Sequence, residues 1–456
     1  MSKTPERVKR SFRLSLYLIS LFLISCSARM EMARLPLPHV TPELETPEFW
    51  TAKIDNPDSV LLTSENIDSL NRDIASNVYL VDVLLIGNKV SGGRIRKAIV
   101  GDFEHHKKRT RYGHNNYPLP ESFYKEIERR MDLDSIPEKI DVSFGLTTRR
   151  TDIRSLPTSE IAMEKKNDYE FDYFQHSALG IGEPVALYHF SNDRAWAFVQ
   201  ASFTHGWVRT VDIGIGESKK DIKAYLRPSE KLVITGNIVH VYSDSTRTRF
   251  LGSLGMGSTV PLVRSTEEGY AVQFPFRDAD GNLLMKEGFI HGSEDVSEGY
   301  VLYSPANVLR QAFKSLHQPY GWGGMFETKD CSRYVLDVFA TFGIDFPRNS
   351  RSQLKAGQSI AAFDRDVSKK HKLESLHLAR PGLTIIGFPG HVMIYLGQHN
   401  GRFYAIHNTW AYRKKRWFVQ DTKHIGKVVV SDLTLGEGSK KGSLLERLTE
   451  IRHIGF

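Results

Sequence analysis

The spacing of apolar residues changes along the chain and divides it into regions with different predicted secondary structure. From Trp50 to about Ile140, apolar residues recur mainly at the spacing of helices. From about 141 to 300, short apolar runs alternate with turn residues, which is typical of small β-structures. After residue 300 the two patterns are mixed. We therefore predict a helical segment, then a region of strands, then a domain that contains both.

An internal repeat divides the region of strands into two parts. Each copy contains a turn, a strand that begins with an aromatic residue, and a Gly-aromatic-aliphatic strand, in the same order. The first copy consists of Gly182–Val185, Trp196–Gln200 and Gly206–Val208, and the second of Gly257–Val260, Tyr270–Gln273 and Gly288–Ile290. We predict two small β-barrels, at 141–215 and 228–300.

The C-terminal third begins with a predicted helix that carries Cys331. Asp330 is suited to cap this helix and Gly343 to end it. The core-facing residues between them have helical spacing; they are Tyr334, Val335, Val338, Phe339 and Phe342. Cys331 lies off this apolar stripe, in the first turn, where free N–H groups and the helix dipole favour a thiolate. The position therefore favours a nucleophile over a structural cysteine.

A nucleophilic thiol needs a base and a group that orients the base. Two strands are predicted near the end of the chain, His391–Gly397 and Arg402–His407. As antiparallel neighbours packed on the helix of Cys331, these strands would place His391 and His407 side by side. His391 would then accept the thiol proton, and His407 would hold the imidazole in the required tautomer.

The N-terminus has the pattern of an export signal. Five basic residues precede a short apolar run, Leu14 to Ile24, that is too short to cross a bilayer. The run ends in Leu23-Ile24-Ser25-Cys26, which resembles the bacterial lipobox, in which the cysteine is acylated and becomes the new N-terminus. The alternative is an ordinary signal peptide with an incidental cysteine. With Ser27 after Cys26, the resemblance implies outer-membrane sorting if the host is Gram-negative.

Composition and charge exclude several classes of protein. The 456 residues are 40% hydrophobic and 25% charged, which is a globular composition. The formal charge is +8, and residues 1–25 supply half of it, so we predict no nucleic-acid partner. Two cysteines cannot build a disulfide framework or a four-thiolate metal site. The adjacent His105 and His106 lack the spaced partners of a metal site, so we assign no metal.

The motifs around Cys331 and the two histidines resemble those of the NlpC/P60 cysteine peptidases, over about residues 301–456. The matching motifs are Pro319-Tyr320-x-Trp322-Gly323-Gly324, Asp330-Cys331-Ser332, Phe342-Gly343-Ile344, Pro347-Arg348-Asn349-Ser350, Gln353, Gly390-His391-Val392 and His407. The two repeat copies resemble bacterial SH3 (SH3b) domains. With the lipobox and the helical segment, the whole organisation resembles periplasmic γ-D-glutamyl-L-diamino acid endopeptidases that act on murein peptides.

The resemblance implies an α+β multidomain fold. Its catalytic domain would be papain-like, with the helix of the cysteine packed on an antiparallel sheet. Two small SH3-like β-barrels and a mainly helical N-terminal segment would precede this domain in the chain. The expected boundaries are 1–25 for the signal peptide, 26–49 for a tether, 50–140 for the helical domain, 141–215 and 228–300 for the SH3b domains, and 301–456 for the peptidase domain.

The resemblance also implies catalytic roles for four residues. Cys331 is expected to be the nucleophile, His391 the base and His407 the third member of the triad. Tyr320 corresponds to a tyrosine whose hydroxyl lies beside the nucleophile and the oxyanion. Arg333 stands where many members have glycine, and its side chain could alter the wall of the cleft.

Further positions are implied for binding the free amine of L-Ala in the substrate. Asp330 and Ser332 correspond to residues that contact this amine in relatives with SH3b domains. Asp172 and Tyr173, in the first SH3b domain, are candidates for closing the amine pocket, and a role in a surface turn is the alternative.

The expected function is hydrolysis of the bond between γ-D-Glu and a diamino acid, diaminopimelate or lysine, without a cofactor. The expected partners are peptidoglycan or murein peptides, and the membrane through the lipid on Cys26, in the periplasm. Two alternatives remain open: a cysteine amidase or acyltransferase of the same fold acting on another bond, and a non-catalytic, lipid-anchored scaffold that binds the wall. The sequence leaves open which diamino acid is bound and whether the substrate is polymeric wall or turnover peptide.

Overall fold

The computed structural model describes residues 30–364, 366–416 and 419–456. The predicted signal peptide and the predicted lipidation site Cys26 lie outside the described residues. Among the helices within the described ranges, none combines the length and the apolar character needed to cross a membrane.

The N-terminal region is mainly helical, as its apolar spacing predicts. Its elements are β1 (Met30–Met32), α1 (Pro47–Thr51), α2 (Ser64–Asn77), β2 (Lys89–Ser91), α3 (Gly92–Lys107), α4 (Glu121–Met131) and β3 (Lys139–Asp141). Thr63 begins α2 with a capping box shared with Asn66. The buried side chains of α2 belong to the core of the C-terminal domain, whereas those of α3 and α4 belong to a core shared with the strands that follow.

The described part of the predicted tether packs on the C-terminal domain and does not extend away from it. Leu37 and Leu44 are buried in the core that also contains Val335 of the cysteine helix. The indole N–H of the buried Trp50 donates a hydrogen bond to the carbonyl of Leu44 at 2.8 Å. Burial of these apolar side chains favours a docked segment, and the proline-rich composition does not reveal it.

The first group of strands forms one antiparallel sheet with a long loop. Trp207 is fully buried, and its ring lies 5.4 Å from that of Phe198. The loop 155–174, between the second and third of these strands, extends to the C-terminal domain. The strands are β4 (Ser143–Thr147), β5 (Thr151–Arg154), β6 (Gln175–Leu179), β7 (Pro184–Phe190), β8 (Trp196–Gln200), β9 (His205–Arg209) and β10 (Ile213–Ile215), in the order β10-β4-β7-β8-β9-β5-β6.

A second sheet follows after the helix α5 (Lys219–Leu226). Its strands are β11 (Lys231–Ile234), β12 (Ile238–Tyr242), β13 (Phe250–Gly255), β14 (Thr259–Ser265), β15 (Gly269–Arg277), β16 (Leu283–His291) and β17 (Val296–Glu298), in the order β13-β12-β16-β15-β14-β11-β17. Two groups of strands thus follow each other along the chain, as the internal repeat predicts.

The C-terminal domain combines helices with one large sheet. Its elements are α6 (Pro305–Lys314), α7 (Cys331–Ala340), α8 (Ser350–Gln353), β18 (Gln358–Ala362), α9 (Lys369–Leu376), β19 (Thr384–Phe388), β20 (His391–His399), β21 (Arg402–Arg416), β22 (Val419–Asp432), α10 (Leu444–Arg447) and β23 (Glu450–His453). The strand order is β1-β22-β21-β20-β19-β23-β18, and only the pairing of β1 with β22 is parallel among the described strands.

The helix α7 packs across β20 and β21. Its residues Val335, Val338 and Phe339 are completely buried, as their helical spacing predicts. The helix that begins with the cysteine therefore packs on the large sheet. In the chain, this domain follows a helical segment and two groups of strands. The expected α+β fold class is confirmed.

Candidate active site

Cys331 is the first residue of α7 and lies at the start of β20. The carboxylate of Asp330 caps the helix by accepting a hydrogen bond from the N–H of Arg333 at 2.8 Å. The side chain of Cys331 is buried, and the backbone N–H groups of Val392 and Ser332 lie close enough to its sulfur to lower the pKa of the thiol. Because Val392 follows His391 in β20, these contacts place the thiol beside that histidine.

Burial determines the ionisation of Cys331. It raises the pKa of the thiol to about 12, and the negative charge of Asp330 acts in the same direction. The N–H groups of Val392 and Ser332 oppose this shift only in part. The expected thiolate is therefore not the resting form of Cys331, because the loss of water around the sulfur raises the pKa by more than the N–H groups lower it. Cys331 is a protonated thiol at neutral pH.

The pairing of β20 with β21 brings His391 and His407 together. Nε2 of His391 lies 2.7 Å from Nδ1 of His407, and Nε2 of His407 lies 2.8 Å from Oγ of Ser431 in β22. Since Nε2 of His391 is engaged with His407, Nδ1 is the nitrogen that remains for the thiol. The two imidazoles and the hydroxyl form a hydrogen-bonded relay behind Cys331.

Both histidines of the relay are neutral. Burial and the positive charge of Arg447 lower the pKa of His391 to about 3. Burial and the neighbouring His391 also hold the pKa of His407 well below its usual value. A neutral imidazole accepts a proton, so the resting pair is a thiol and a base, and proton transfer has to accompany attack by the sulfur.

Tyr320 is held near the thiol by its backbone. Its N–H donates a hydrogen bond to the carbonyl of Gly426 in β22 at 2.8 Å. Burial raises the pKa of the Tyr320 phenol above its usual value, and the proximity of Cys331 acts in the same direction. The phenol therefore keeps its proton and remains a hydrogen-bond donor.

The glycines after Tyr320 allow the chain to pass close to the first sheet. Gly323 and Gly324 have positive φ angles of 57° and 86°. A Cβ atom would lie 2.9 Å from the side chain of Gln175 at Gly323, and 2.8 Å from Cβ of Ala178 at Gly324. The glycine-rich motif therefore fits the C-terminal domain against β6.

The four residues with expected catalytic roles border one cavity of about 210 Å³. They are Tyr320, Cys331, His391 and His407. The remaining walls come mainly from the β21–β22 hairpin and residues 435–447. A thiol, a neutral base with an orienting partner, and a phenol donor are the groups that nucleophilic acyl transfer requires. Across the described ranges, no three His, Cys, Asp or Glu side chains are arranged to hold a metal ion.

The side chains of Asp330 and Ser332 both accept hydrogen bonds from the guanidinium of Arg348. Neither residue is among the described residues that border the cavity. Arg348 donates from Nη1 and Nη2 to the two carboxylate oxygens of Asp330, at 2.9 and 2.7 Å. It also donates to Oγ of Ser332 at 2.9 Å and to Oγ of Ser177 in β6 at 2.7 Å. Burial tends to raise the pKa of Asp330, but Arg348 and the hydrogen bonds hold it below its usual value. The charge of Asp330 is therefore balanced within the protein.

Asp172 and Tyr173 lie on the loop between β5 and β6 and are likewise absent from the described lining of the cavity. Asp172 is buried and forms an ion pair with Arg154 at 2.8 Å. Its carbonyl accepts a hydrogen bond from Nε1 of Trp322 at 3.1 Å. The hydroxyl of Tyr173 donates to Glu164 at 3.0 Å, and its ring lies 5.8 Å from that of Trp322. Both residues fix the loop against Trp322.

The same loop carries two residues near the cleft that the sequence analysis missed. Glu170 accepts a hydrogen bond from Nε1 of Trp410 at 2.7 Å. Its negative charge contributes to the raised pKa of Tyr320. The ring of Phe171 lies 5.3 Å from that of Trp322 and 5.1 Å from that of Trp410. Glu170 and Trp410 are 240 residues apart in sequence, so no local pattern connects them.

Arg333, the departure from the family motif, is used in domain packing. Nε of Arg333 donates to Asp337 at 2.6 Å, and Nη1 donates to the carbonyl of Ala178 in β6 at 3.2 Å. Nη2 lies 3.6 Å from the carboxylate of Glu183. The side chain therefore connects α7 to the first sheet, and it is not among the described residues that border the cavity of Cys331.

Comparison with protein-family models assigns two parts of the chain. Residues 317–434 match the NlpC/P60 family, and residues 162–209 match an SH3 domain of the SH3b1 type. The first match contains Tyr320, Cys331, His391 and His407. No curated protein sequence matches the chain.

Comparison with solved structures extends the similarity beyond these two parts. An NlpC/P60 endopeptidase from Photobacterium damselae subsp. piscicida is similar over 89% of this chain and 96% of its own, with a TM-score of 0.72 and 21% identity. An NlpC/P60 family protein from Bacillus cereus ATCC 10987 aligns over 62% of this chain and 83% of its own, with a TM-score of 0.43 and 14% identity. The first comparison shows a shared fold over most of the chain. The chain therefore contains an NlpC/P60 domain at residues 317–434, with an SH3 domain of the SH3b1 type ahead of it at residues 162–209.

Proposed function

We propose that this protein is a cell-wall cysteine endopeptidase that hydrolyses the bond between γ-D-Glu and the diamino acid of murein peptides with a free N-terminal L-Ala. The observation that carries the proposal is the arrangement of Cys331, His391 and His407 around one cavity of an NlpC/P60 domain. An inactive wall-binding scaffold should have lost at least one of these groups. The same fold acting on another bond is the main competing function.

In the proposed acylation step, the sulfur of Cys331 attacks the γ-carbonyl carbon of D-Glu. Nδ1 of His391 takes the thiol proton as the S–C bond forms and the carbonyl electrons move to oxygen. The backbone N–H of Cys331, in the first turn of α7, and the hydroxyl of Tyr320 donate hydrogen bonds to this oxyanion. His407 stabilises the imidazolium through its bond to Nε2 of His391.

Release of the products restores the starting groups. The C–N bond breaks, and His391 delivers its proton to the departing amine of the diamino acid. Water then attacks the thioester with His391 as the base, which releases L-Ala-D-Glu and returns the proton to Cys331. The steps are balanced by these side chains and water, and no cofactor takes part.

The loop between β5 and β6 supports the requirement for a free amine. The ring of Phe171 packs between those of Trp322 and Trp410, and Trp410 borders the cavity of Cys331. The carboxylate of Glu170, which accepts from Trp410 and lies 3.3 Å from Nε2 of His424, would pair with the ammonium of L-Ala. Asp330 and Ser332 would act with Arg348 as positioning residues for this pocket, and Asp172 and Tyr173 would hold the loop in place.

We further propose that Cys26 is acylated and that the lipid anchors the protein in the outer membrane of a Gram-negative host, facing the periplasm. The sequence motif alone supports this assignment. Residue 30 begins β1, which pairs with β22, so an anchor at residue 26 would hold the catalytic domain close to the membrane. A Cys26→Ser variant should lose labelling by radioactive palmitate and leave the membrane fraction, and unchanged labelling would contradict the proposal.

The enzymatic proposal is tested by mass spectrometry of the products of L-Ala-γ-D-Glu-diaminopimelate. The Cys26→Ser chain should release L-Ala-D-Glu, and the same chain with Cys331→Ala should release none. An N-acetylated tripeptide should resist cleavage, because acetylation removes the charge that Glu170 recognises. Intact sacculus serves as the comparison for polymeric wall.

The other outcomes identify the competing functions. Cleavage of a different bond would indicate an amidase or acyltransferase. Absence of cleavage in every substrate, with activity of a related enzyme in the same assay, would indicate a scaffold. Equal cleavage of free and acetylated peptides would remove the free-amine requirement while leaving the peptidase.

A further inference from the structure

We infer that Arg413, Lys441 and Arg447 form a carboxylate-binding subsite in the cavity of Cys331, at the end beyond His391. It would select a leaving amino acid with two free carboxylates, as in a tripeptide that ends in diaminopimelate, over one that ends in lysine. The inference rests on the proposed function and specifies the substrate of the same site. It concerns the part of the cavity formed by the β21–β22 hairpin and residues 435–447.

The three cations border the same cavity as the nucleophile. Arg413 comes from β21, Lys441 from the segment after β22, and Arg447 from α10. Partial burial, Arg413 and Arg447 all lower the pKa of Lys441, so both arginines lie close enough for their charges to act on this lysine. Mutual repulsion of this kind is relieved by an anion bound between the groups.

No Asp or Glu is among the described residues that border this cavity. The nearby Glu446 is directed elsewhere, because its carboxylate accepts hydrogen bonds from the N–H and hydroxyl of Ser443 at 2.6 and 3.0 Å. It also pairs with Lys369 at 3.0 Å, and Glu437 pairs with the same lysine at 2.7 Å. The acidic residues of this segment therefore neutralise Lys369 and leave the cavity positive.

Arg447 places this subsite on the side of the leaving group. Its guanidinium lies 3.8 Å from the ring centroid of Phe388, and that ring lies 5.6 Å from the ring of His391. The charge of Arg447 also lowers the pKa of His391. Because His391 gives its proton to the departing amine, the group attached to that amine extends toward Arg447.

The charges match the chemistry of one leaving group best. Diaminopimelate at the end of a tripeptide carries two free carboxylates, whereas terminal lysine carries one. In a longer stem peptide one carboxylate of diaminopimelate is consumed by the next peptide bond. Three cations without acidic partners in the described lining therefore favour the terminal diaminopimelate of a turnover peptide.

The test compares kcat/KM for three peptides: L-Ala-γ-D-Glu-diaminopimelate, its C-terminal amide, and L-Ala-γ-D-Glu-lysine. For the unsubstituted protein, kcat/KM should be highest on the first peptide and should fall by about tenfold or more for each lost carboxylate. A loss of this size is typical of one charge-assisted hydrogen bond. Arg413→Gln and Lys441→Gln should each reduce kcat/KM on the first peptide by about tenfold and reduce it much less on the lysine peptide. Loss of the preference is the specific signature of the subsite.

Lys415→Gln is the matched control, because Lys415 is exposed on the same strand as Arg413 and is absent from the described lining of the cavity. It should leave all three values unchanged. Equal rates on the diaminopimelate and lysine peptides in the unsubstituted protein, or equal losses on both in the variants, would overturn the inference while the proposed function stands.

Calorimetry separates failure of the subsite from failure of the function. The Cys331→Ala protein should bind the diaminopimelate tripeptide more tightly than the lysine tripeptide, and Lys441→Gln in that background should remove the difference. This result would support the subsite even if no γ-D-Glu bond were cleaved. Equal binding of the two peptides to Cys331→Ala would overturn the subsite whatever the activity assay shows.

Discussion

Nε2 of His391 and Nδ1 of His407 are 2.7 Å apart, so one proton is shared between the two rings. If His391 donates this proton, its Nδ1 is free to accept the proton of Cys331, and His407 then donates from Nε2 to Ser431, 2.8 Å away. If His407 donates instead, Nδ1 of His391 carries a proton and cannot act as the base. The tautomer of His407 therefore determines whether His391 can activate the thiol.

Replacement of Ser431 by alanine should reduce kcat and leave KM nearly unchanged. The hydroxyl of Ser431 satisfies the fully buried His407, and its loss leaves the proton on Nε2 of His407 without an acceptor. We expect a loss in kcat of about tenfold, which corresponds to one hydrogen bond. Steady-state kinetics on the tripeptide provide the measurement, and Ser431→Thr, which keeps the hydroxyl, is the control. Equal activity of the alanine and threonine variants would contradict the relay.

The reaction rate should not decline as the pH falls from 7 to 5. An ordinary histidine binds a proton near pH 6.5 and stops acting as a base below it. Burial and Arg447 lower the pKa of His391 to about 3, so the proton binds only at much lower pH and the base stays neutral. Measurement of kcat/KM at several pH values checks this. A tenfold decline per pH unit below 6.5 would contradict it.

Arg447→Gln is the matched variant for this pH profile. It removes the charge that helps to lower the pKa of His391. The acidic limb of the profile should therefore move upward in pH, and the burial that provides the larger part of the shift should keep it below 6.5. A profile identical to that of the unsubstituted protein would show that Arg447 does not act on the base.

Replacement of Arg348 by methionine should destabilise the protein by about 3–5 kcal/mol, because it leaves the buried carboxylate of Asp330 without its partner. Both carboxylate oxygens of Asp330 accept from Arg348, which also bonds Ser177 in the first sheet. Urea unfolding monitored by tryptophan fluorescence measures the loss. Arg348→Lys should lose less, and a second substitution, Asp330→Asn, should recover part of the loss. Unfolding curves unchanged by Arg348→Met would show that the ion pair is unimportant.

Glu170→Gln should remove the discrimination between free and N-acetylated peptides. The substitution keeps the shape of the side chain, and its amide oxygen can still accept from Trp410, but it removes the charge that would pair with the ammonium group. We expect kcat/KM on the free peptide to fall about tenfold, with little change on the acetylated one. Asp168→Asn, on the same loop, is the control. A fall of equal size on both peptides would indicate a structural role for Glu170.

The parts of the site that the sequence predicts are those with local signals. Asp330 before Cys331 is a helix-cap pattern, and the apolar stripe after it fixes the face of α7 that packs on the sheet. The strands of His391 and His407 are adjacent in the chain, so their pairing could be expected from their order. These local patterns were sufficient to predict that Cys331, His391 and His407 lie close together.

Other parts of the site depend on contacts that local patterns do not contain. Glu170 meets Trp410 across 240 residues, and Arg348 joins Asp330 to a serine in another domain. Burial raises the pKa of Cys331 and keeps the thiol protonated, and the position of the residue in the first helical turn did not reveal this. Ser431 lies opposite His407 only because the long strands β21 and β22 pair in this register.

The central claim is that Cys331 transfers the γ-acyl group of D-Glu from the diamino acid to water. Hydrolysis of L-Ala-γ-D-Glu-diaminopimelate in water enriched in heavy oxygen tests this most directly. Mass spectrometry should find the heavy oxygen in the γ-carboxyl of L-Ala-D-Glu and none in diaminopimelate, and the Cys331→Ala protein should produce neither product. Label in another fragment, or equal cleavage by Cys331→Ala, would contradict the account.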